Sequence, residues 1–194
     1  MKKLIKMTAA AVVLGALSTS AFAAGPGAFF INANIGQSNF HDHSFSNHTD
    51  TATAVRAGYA WHIGNAGDFG VEAGYVDLGR ASGSVLVNNV STGFGAKLSG
   101  PLLGANYRYT FSNKIYVSAR AGWFRSKFDA NIAGIGSQSF SGNGAYSGLG
   151  VGYDITPHFS LGVNFDEYHG RATVYGTKAK EGVSALSGFA EVRF

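Results

Sequence analysis

From Phe29 onward, apolar residues recur at every second position. Phe29, Ile31, Ala33 and Ile35 alternate with Phe30, Asn32, Asn34 and Gly36, and Val55, Ala57, Tyr59 and Trp61 alternate with Arg56, Gly58, Ala60 and His62. A β-strand sends successive side chains to opposite faces, so each run predicts a strand with one apolar face and one polar or small face. The pattern returns in Phe69–Tyr75, Leu103–Tyr109, Ile115–Trp123, Leu149–Tyr153, Phe159–Phe165 and Leu186–Phe194, which makes eight predicted strands.

The connections alternate in length. Gly64–Gly67, Thr110–Asn113 and Asp154–Pro157 have the Gly, Asn, Ser or Pro chemistry of tight turns. Asn39–Ala52, Arg80–Ser91, Arg125–Asn143 and His169–Gly182 are rich in Ser, Gly, Asn and His and are expected to be long loops. Short turns on one side and long loops on the other predict an all-β fold: a closed, eight-stranded antiparallel transmembrane barrel with short periplasmic turns and long extracellular loops.

The distribution of residues between the faces points the apolar one outward. The other face carries Arg56, Glu72, Arg108, Arg120, Asp166, Glu191 and Arg193 among many glycines, which suits a narrow polar lumen. Aromatic residues on the apolar face fall at the strand ends, where amphipathic rings favour the boundary between headgroups and hydrocarbon. Trp61, Phe69, Tyr109, Tyr153, Phe159 and Phe194 form one predicted girdle beside the short turns, and Tyr75, Trp123 and Phe165 a second toward the long loops. Hydrocarbon leaves no backbone amide unbonded, so the first strand must pair with the last.

Composition sharpens this picture. The chain has 194 residues and a formal charge of +4. Met1–Ala23 has a basic start at Lys2, Lys3 and Lys6, an apolar stretch from Ala9 to Leu17, and the small-residue site Ala21-Phe22-Ala23, so residues 1–23 are expected to be a cleaved signal peptide and 24–194 the barrel. Removing three lysines leaves twelve basic residues against eleven acidic ones, a net +1 that gives no support to nucleic-acid binding. With no cysteine, a disulfide-stapled secreted fold is excluded. Beyond residue 23 no apolar run approaches the roughly 20 residues of a membrane-crossing helix.

Eight strands enclose an interior just wide enough for side chains to fill, so a wide pore is not expected. Buried charges there need partners. The turn at Gly64–Gly67 sets Glu72 near Gly58 and within diagonal reach of Arg56, predicting an Arg56–Glu72 contact, with Arg120 as a candidate third member.

The runs Gly70-Val71-Glu72-Ala73-Gly74-Tyr75, Leu78-Gly79-Arg80 and Gly152-Tyr153-Asp154-Ile155-Thr156-Pro157 resemble segments of the OmpA-type membrane barrel, and size and architecture also resemble the OmpX and Ail group. The resemblance implies that Arg120 is the interior arginine of the fifth strand, and that Val192 and Phe194 end an assembly signal read by the barrel-insertion machinery. It departs from the family's salt-bridge gate, whose further charged positions correspond to Asn106, Gly152 and Gly162 here. A peptidoglycan-binding domain of the kind found in longer relatives is not expected.

Other candidate chemistry is weaker. His158-Phe159-Ser160 has the His-x-Ser spacing of outer-membrane lipid A deacylases, but it sits by a periplasmic turn, away from the outer leaflet where that chemistry would occur. His41, His43 and His48 with Asp42 and Asp50 have metal-ligand chemistry but lack a rigid setting, so they are expected to be solvated and no metal or cofactor is expected. Val85, Leu86, Val87, Phe128, Ile132, Ile135 and Phe140 interrupt polar loops and would suit a protruding sheet that pairs with foreign strands, or simple packing against each other.

The expected function is therefore a non-enzymatic outer-membrane barrel that supports the envelope and makes surface contacts, including adhesion. A small channel is the alternative, and lipid A modification the third reading. Expected partners are outer-membrane lipids and lipopolysaccharide, the barrel-assembly machinery with periplasmic chaperones, and host or surface ligands of the loops.

Overall fold

The computed structural model describes the backbone of residues 26–40, 49–87, 90–132, 136–174 and 177–194, and the side chains of 26–40, 49–80, 97–127, 141–170 and 182–194. The predicted signal peptide and the histidines at 41, 43 and 48 lie outside the described residues. The eight strands are β1 (Gly27–Phe40), β2 (Thr49–Ile63), β3 (Gly67–Val87), β4 (Val90–Thr110), β5 (Ile115–Ile132), β6 (Gly136–Thr156), β7 (Phe159–Val174) and β8 (Thr177–Arg193). Each pairs antiparallel with its neighbours in sequence, and β1 pairs with β8 to close the barrel. The seam continues to the chain end, where Phe29 and Phe194 exchange backbone bonds of 2.9 and 3.0 Å.

The short connections place residues with special backbone needs where the chain reverses. Gly64 has φ +66°, and Lys114 takes the same left-handed region beside the Asn113 side chain, which accepts from the Ile115 amide. A register shift between Asp77 and Arg80 bends β3 at Gly79, whose φ is +79° and whose missing Cβ leaves room for the Asp50 carboxylate.

The long connections are shorter than their composition suggests. Gly and Asn are poor strand formers on average, but they are tolerated where every backbone group finds a cross-strand partner. β3 and β4 stay paired to Val87↔Val90, β5 and β6 to Ile132↔Gly136, and β7 and β8 to Val174↔Thr177. Most of Arg80–Ser91, Arg125–Asn143 and His169–Gly182 is therefore strand, a correction to the loop reading. At 21 residues each, β3, β4 and β6 are twice the roughly 10 residues needed to cross a membrane, so they stand well above it.

The extension is unevenly joined. β2–β3 pairing stops at Thr53↔Asp77 and β6–β7 pairing at Ala145↔His169, while β3 to β6 remain paired with one another beyond those points. Among the described residues, the outer edges of this four-stranded extension, 81–87 of β3 and 136–144 of β6, pair with no further strand. Val85, Leu86, Val87, Phe128, Ile132 and Phe140 lie on it, with Phe128 opposite Phe140, whereas Ile135 lies outside the described residues.

Candidate functional site

The two faces exchange character along the barrel. Beside the short turns and through the middle, Val55, Val71, Leu103, Val117, Val151 and Leu186 point outward and are about half exposed, while the inward set is mostly polar or glycine, with Phe30, Ala60, Tyr116 and Phe189 buried among it. Side chains of this type hidden from water by nothing in the protein require a hydrocarbon surrounding. Above Tyr75, Trp123 and Phe165 the outward residues become Gln37, Thr53, Asp77, Arg125, Lys127 and Glu167. At that height the inward residues turn apolar: Phe40, Leu78, Leu98, Phe124, Tyr168 and Val183 belong to one buried cluster. The wall thus passes from hydrocarbon into water, and the core switches with it.

Trp61, Phe69, Tyr109, Tyr153 and Phe194 are exposed on the outer wall near the short turns, with Phe159 half-buried on the same face. Phe29, Tyr59, Tyr107 and Phe111 join this ring, tied by edge contacts at 4.8 Å between Phe29 and Tyr59 and 5.1 Å between Tyr109 and Phe111.

Inside, the charges form two linked groups. In the upper one Arg56, 1% exposed, donates to Asp166 at 2.9 Å and to the Tyr168 hydroxyl at 2.8 Å, with Glu72 at 3.8 Å. Glu72 also accepts from the Tyr146 hydroxyl at 2.8 Å and from Asn106 at 2.9 Å. Arg120 donates to Asn164 at 3.2 Å and lies 3.9 Å from Asp166. Asp166 is thus the nearer acid for Arg56 and the acid that brings Arg120 into the group. The Glu72-to-Gly58 register alone does not identify it, because β7 lies across the lumen.

Tyr146 and Tyr168 join this group to the apolar cluster above. Their rings stack at 6.0 Å, Phe124 meets Tyr168 edge-on at 5.3 Å, and the two hydroxyls point down to Glu72 and Arg56. A tyrosine is suited to such a boundary, with an apolar body and one polar end. Neither tyrosine is among the sequence-derived site residues; their signal is that they continue the inward phase of Gly148 and Asp166 by one step.

The lower group lies near the periplasmic rim. Arg108 pairs with Asp154, lies 3.5 Å from Glu191, and covers the Tyr116 ring at 3.7 Å. Arg193 bridges Glu191 at 2.8 Å and Asp68 at 2.7 Å. Asn32, Asn34 and Asn164 connect the two groups, from Glu191 through to Arg120. Interior glycines make the space: a Cβ on Gly148 would collide with Asp166, and one on Gly122 would come within 2.7 Å of the Tyr146 ring. A cavity of about 20 Å³ lies among Asn32, Arg108, Tyr116, Ser118 and Arg120, room for about one water molecule.

His158 and Ser160 do not form a nucleophile and base. Ser160 is buried and donates to Asp154 at 2.7 Å, whereas the exposed His158 ring meets the Arg193 carbonyl at 3.0 Å. Among the described residues no group of three or more His, Asp or Glu side chains is arranged to hold a metal ion.

A barrel closed on itself, apolar outside and charged within, is the architecture of an integral outer-membrane protein. The chain belongs to the outer membrane protein beta-barrel domain family, whose model matches residues 9–185. Solved structures with the same fold include Neisserial surface protein A (NspA), 18% identical, the match covering 86% of this chain and 97% of that one with a TM-score of 0.56. Ail, the attachment invasion locus protein of Yersinia pestis, is 15% identical over 88% of this chain and 100% of its own, with a TM-score of 0.55. A major outer membrane protein of Thermus thermophilus is 16% identical over 88% and 100%, with a TM-score of 0.51. No curated protein sequence matches the chain. The protein resides in the outer membrane of a Gram-negative envelope.

Proposed function

We propose that the protein is a non-enzymatic barrel that supports envelope integrity and makes surface contacts through its extracellular end. The occupied lumen carries this reading: two linked groups of buried ion pairs line it from the periplasmic rim up to Arg56 and Asp166, and the Phe124–Tyr146–Tyr168 cluster lies above them. With transport through the centre disfavoured, the surfaces left to act are the lipid-facing wall and the protruding β3–β6 sheet. The open edges at 81–87 and 136–144 present backbone donors and acceptors to an added strand. Ail and NspA, named as attachment and surface proteins, support a surface role, as does a structure of Ail with the heparin analogue sucrose octasulfate.

Partners on this reading are lipopolysaccharide around the wall, host or abiotic surface ligands at the extension, and periplasmic chaperones with the barrel-assembly machinery, which would read Val192 and Phe194. Residues 1–23 would be removed on export. The test is removal of the extracellular segments above the Tyr75–Trp123 level in an otherwise folded barrel. Reduced cell attachment and raised detergent sensitivity are expected; unchanged values for both would contradict the reading. Channel activity is the weaker reading, because the polar cavity ends below the apolar cluster. Lipid A modification is weaker still, with Ser160 facing the lumen near the wrong rim.

A further inference from the structure

Above the last β2–β3 pair at Thr53↔Asp77 and the last β6–β7 pair at Ala145↔His169, the strand edges that pair with no neighbour among the described residues are of two kinds. The β7–β8 hairpin stays paired to Val174↔Thr177, and its edges, 170–174 and 177–182, carry Arg171, Lys178, Lys180 and Glu181. Charge on an edge is a common protection against unwanted strand pairing. The edges of the β3–β6 sheet lack it, since 81–87 and 136–144 contain no charged residue and no proline. In this part of the sheet the charges, Lys97, Arg125, Lys127 and Asp129, lie on the two inner strands β4 and β5.

The two uncharged edges match each other. Across the sheet Gly83 pairs with Phe94, Phe94 with Ile132, and Ile132 with Gly136. Such a row is not level: Tyr75 is opposite Pro101 and Trp123 opposite Leu103, so two girdle residues at one membrane depth lie a two-residue step apart in the register. With strands about 4.8 Å apart and tilted about 40°, the row climbs about 9 Å from β3 to β6. Val87 stands about 10 Å above Gly83 at the same tilt, so it ends level with Gly136. β3 runs away from the periplasmic turns and β6 toward them. In two copies upright in one membrane, 81–87 of one therefore meets 136–144 of the next antiparallel and at equal height, with Val87 opposite Gly136 and Ser84 opposite Ser139. Arg80, Lys97, Asp129 and Ser139 form one row, so this register also keeps Ser84 and Ser139 on the same face. Like edges, β3 with β3 or β6 with β6, would meet parallel, the weaker arrangement.

We propose that the protein self-associates within the membrane, the β3 edge of one copy adding to the β6 edge of the next. Each copy carries one edge of each kind, so the contact is head-to-tail and repeats, closing into a ring or running on as a row. A pairing of this length is marginal between freely tumbling molecules. The bilayer holds every barrel upright, which lowers the orientational cost of association. The inference rests on the reading of the extracellular end as a contact surface and names a second copy as the occupant of its edges.

The chain has no cysteine, so Ser84→Cys and Ser139→Cys introduce clean reporters. In the paired register they lie about 5 Å apart between copies, within disulfide reach, whereas within one copy three strand spacings, about 14 Å, separate them. Gel-shift-verified, folded variants are reconstituted in phosphatidylcholine vesicles and oxidised with copper phenanthroline. Ser84→Cys/Ser139→Cys should give a ladder of dimers, trimers and larger species. The two single variants mixed in the same vesicles should stop at the dimer, and either alone, like Asn65→Cys at an exposed periplasmic turn, should stay monomeric. As a second readout, Förster transfer between copies labelled at Asn65→Cys should exceed that of randomly distributed barrels, and Ser84→Lys/Ser139→Lys, which sets like charges opposite each other, should reduce it to the random level. Absence of the ladder with transfer unchanged by the lysines would overturn the proposal. So would dimers from the single variants alone, or cross-links formed only between separately loaded vesicles. A ladder with cell attachment unchanged after removal of the extracellular segments would uphold self-association and sink the surface-contact reading. No ladder with attachment lost would do the reverse.

Discussion

Asp166→Asn removes one charge from the upper lumen with almost no change in volume. In the native barrel Asp166 is 2% exposed, lies 2.9 Å from Arg56 and 3.9 Å from Arg120, and leaves Arg56 only Glu72, at 3.8 Å, as a second acid. Breaking a buried pair from one side strands an uncompensated charge and costs roughly 3–5 kcal/mol. Because Glu72 and the Tyr168 hydroxyl remain, the lower end applies, about 3 kcal/mol or about 150-fold in the folding equilibrium. Replacing both partners, Arg56→Met with Asp166→Leu, takes both charges out of the interior and should recover most of that loss. The assay is reversible urea unfolding in phospholipid vesicles, followed by the fluorescence of Trp61 and Trp123, on the full double-mutant cycle. If Asp166→Asn falls within about 0.5 kcal/mol of the native barrel, a value typical of exposed pairs, the lumen charges are solvated and the occupied-interior account is wrong.

Gly122→Ala places a Cβ against the β4 backbone at Gly104 and against the Tyr146 ring, so it should destabilise by about 1–3 kcal/mol in the same assay; a neutral result would show that the strands can spread there. Phe124→Ala opens the centre of the apolar cluster and should cost about 3–5 kcal/mol, whereas Val117→Ala on the lipid face should cost far less. The Lys97 pKa is held above its ordinary 10.5 chiefly by the hydrogen bond to Asp77, in the water-exposed part of β4. Its contribution is therefore complete below that value and fades as pH rises through the higher folded one. Unfolding midpoints should fall in strongly alkaline solution in the native protein, and that fall should be smaller in Asp77→Asn.

The fold was legible because the membrane imposes one rule, apolar out with period two, on every strand from Phe29 to Phe194. The strand ends were less legible, since above the membrane the same period continues with the faces exchanged. Val76 and Leu78 continue the inward phase of Glu72 and Gly74, and Phe124 that of Arg120 and Gly122, yet an apolar inward residue resembles noise when the apolar face is expected outside. For the same reason Ser- and Gly-rich strand passes as loop until its partner is known. Within the lumen, hairpin register gives neighbours on adjacent strands, such as Gly58 and Glu72. The pairing of Arg56 with Asp166 spans the interior between β2 and β7, a relation set by barrel curvature and shear that no local spacing encodes.

Planar-bilayer recording of the refolded full barrel tests the occupied lumen most directly. The native protein should give a silent membrane, and Phe124→Ala/Tyr168→Ala, which thins the upper cluster, should be the first variant to leak. Discrete openings in the native protein, changed in amplitude by Glu72→Ala, would contradict the account and establish the lumen as a conducting path.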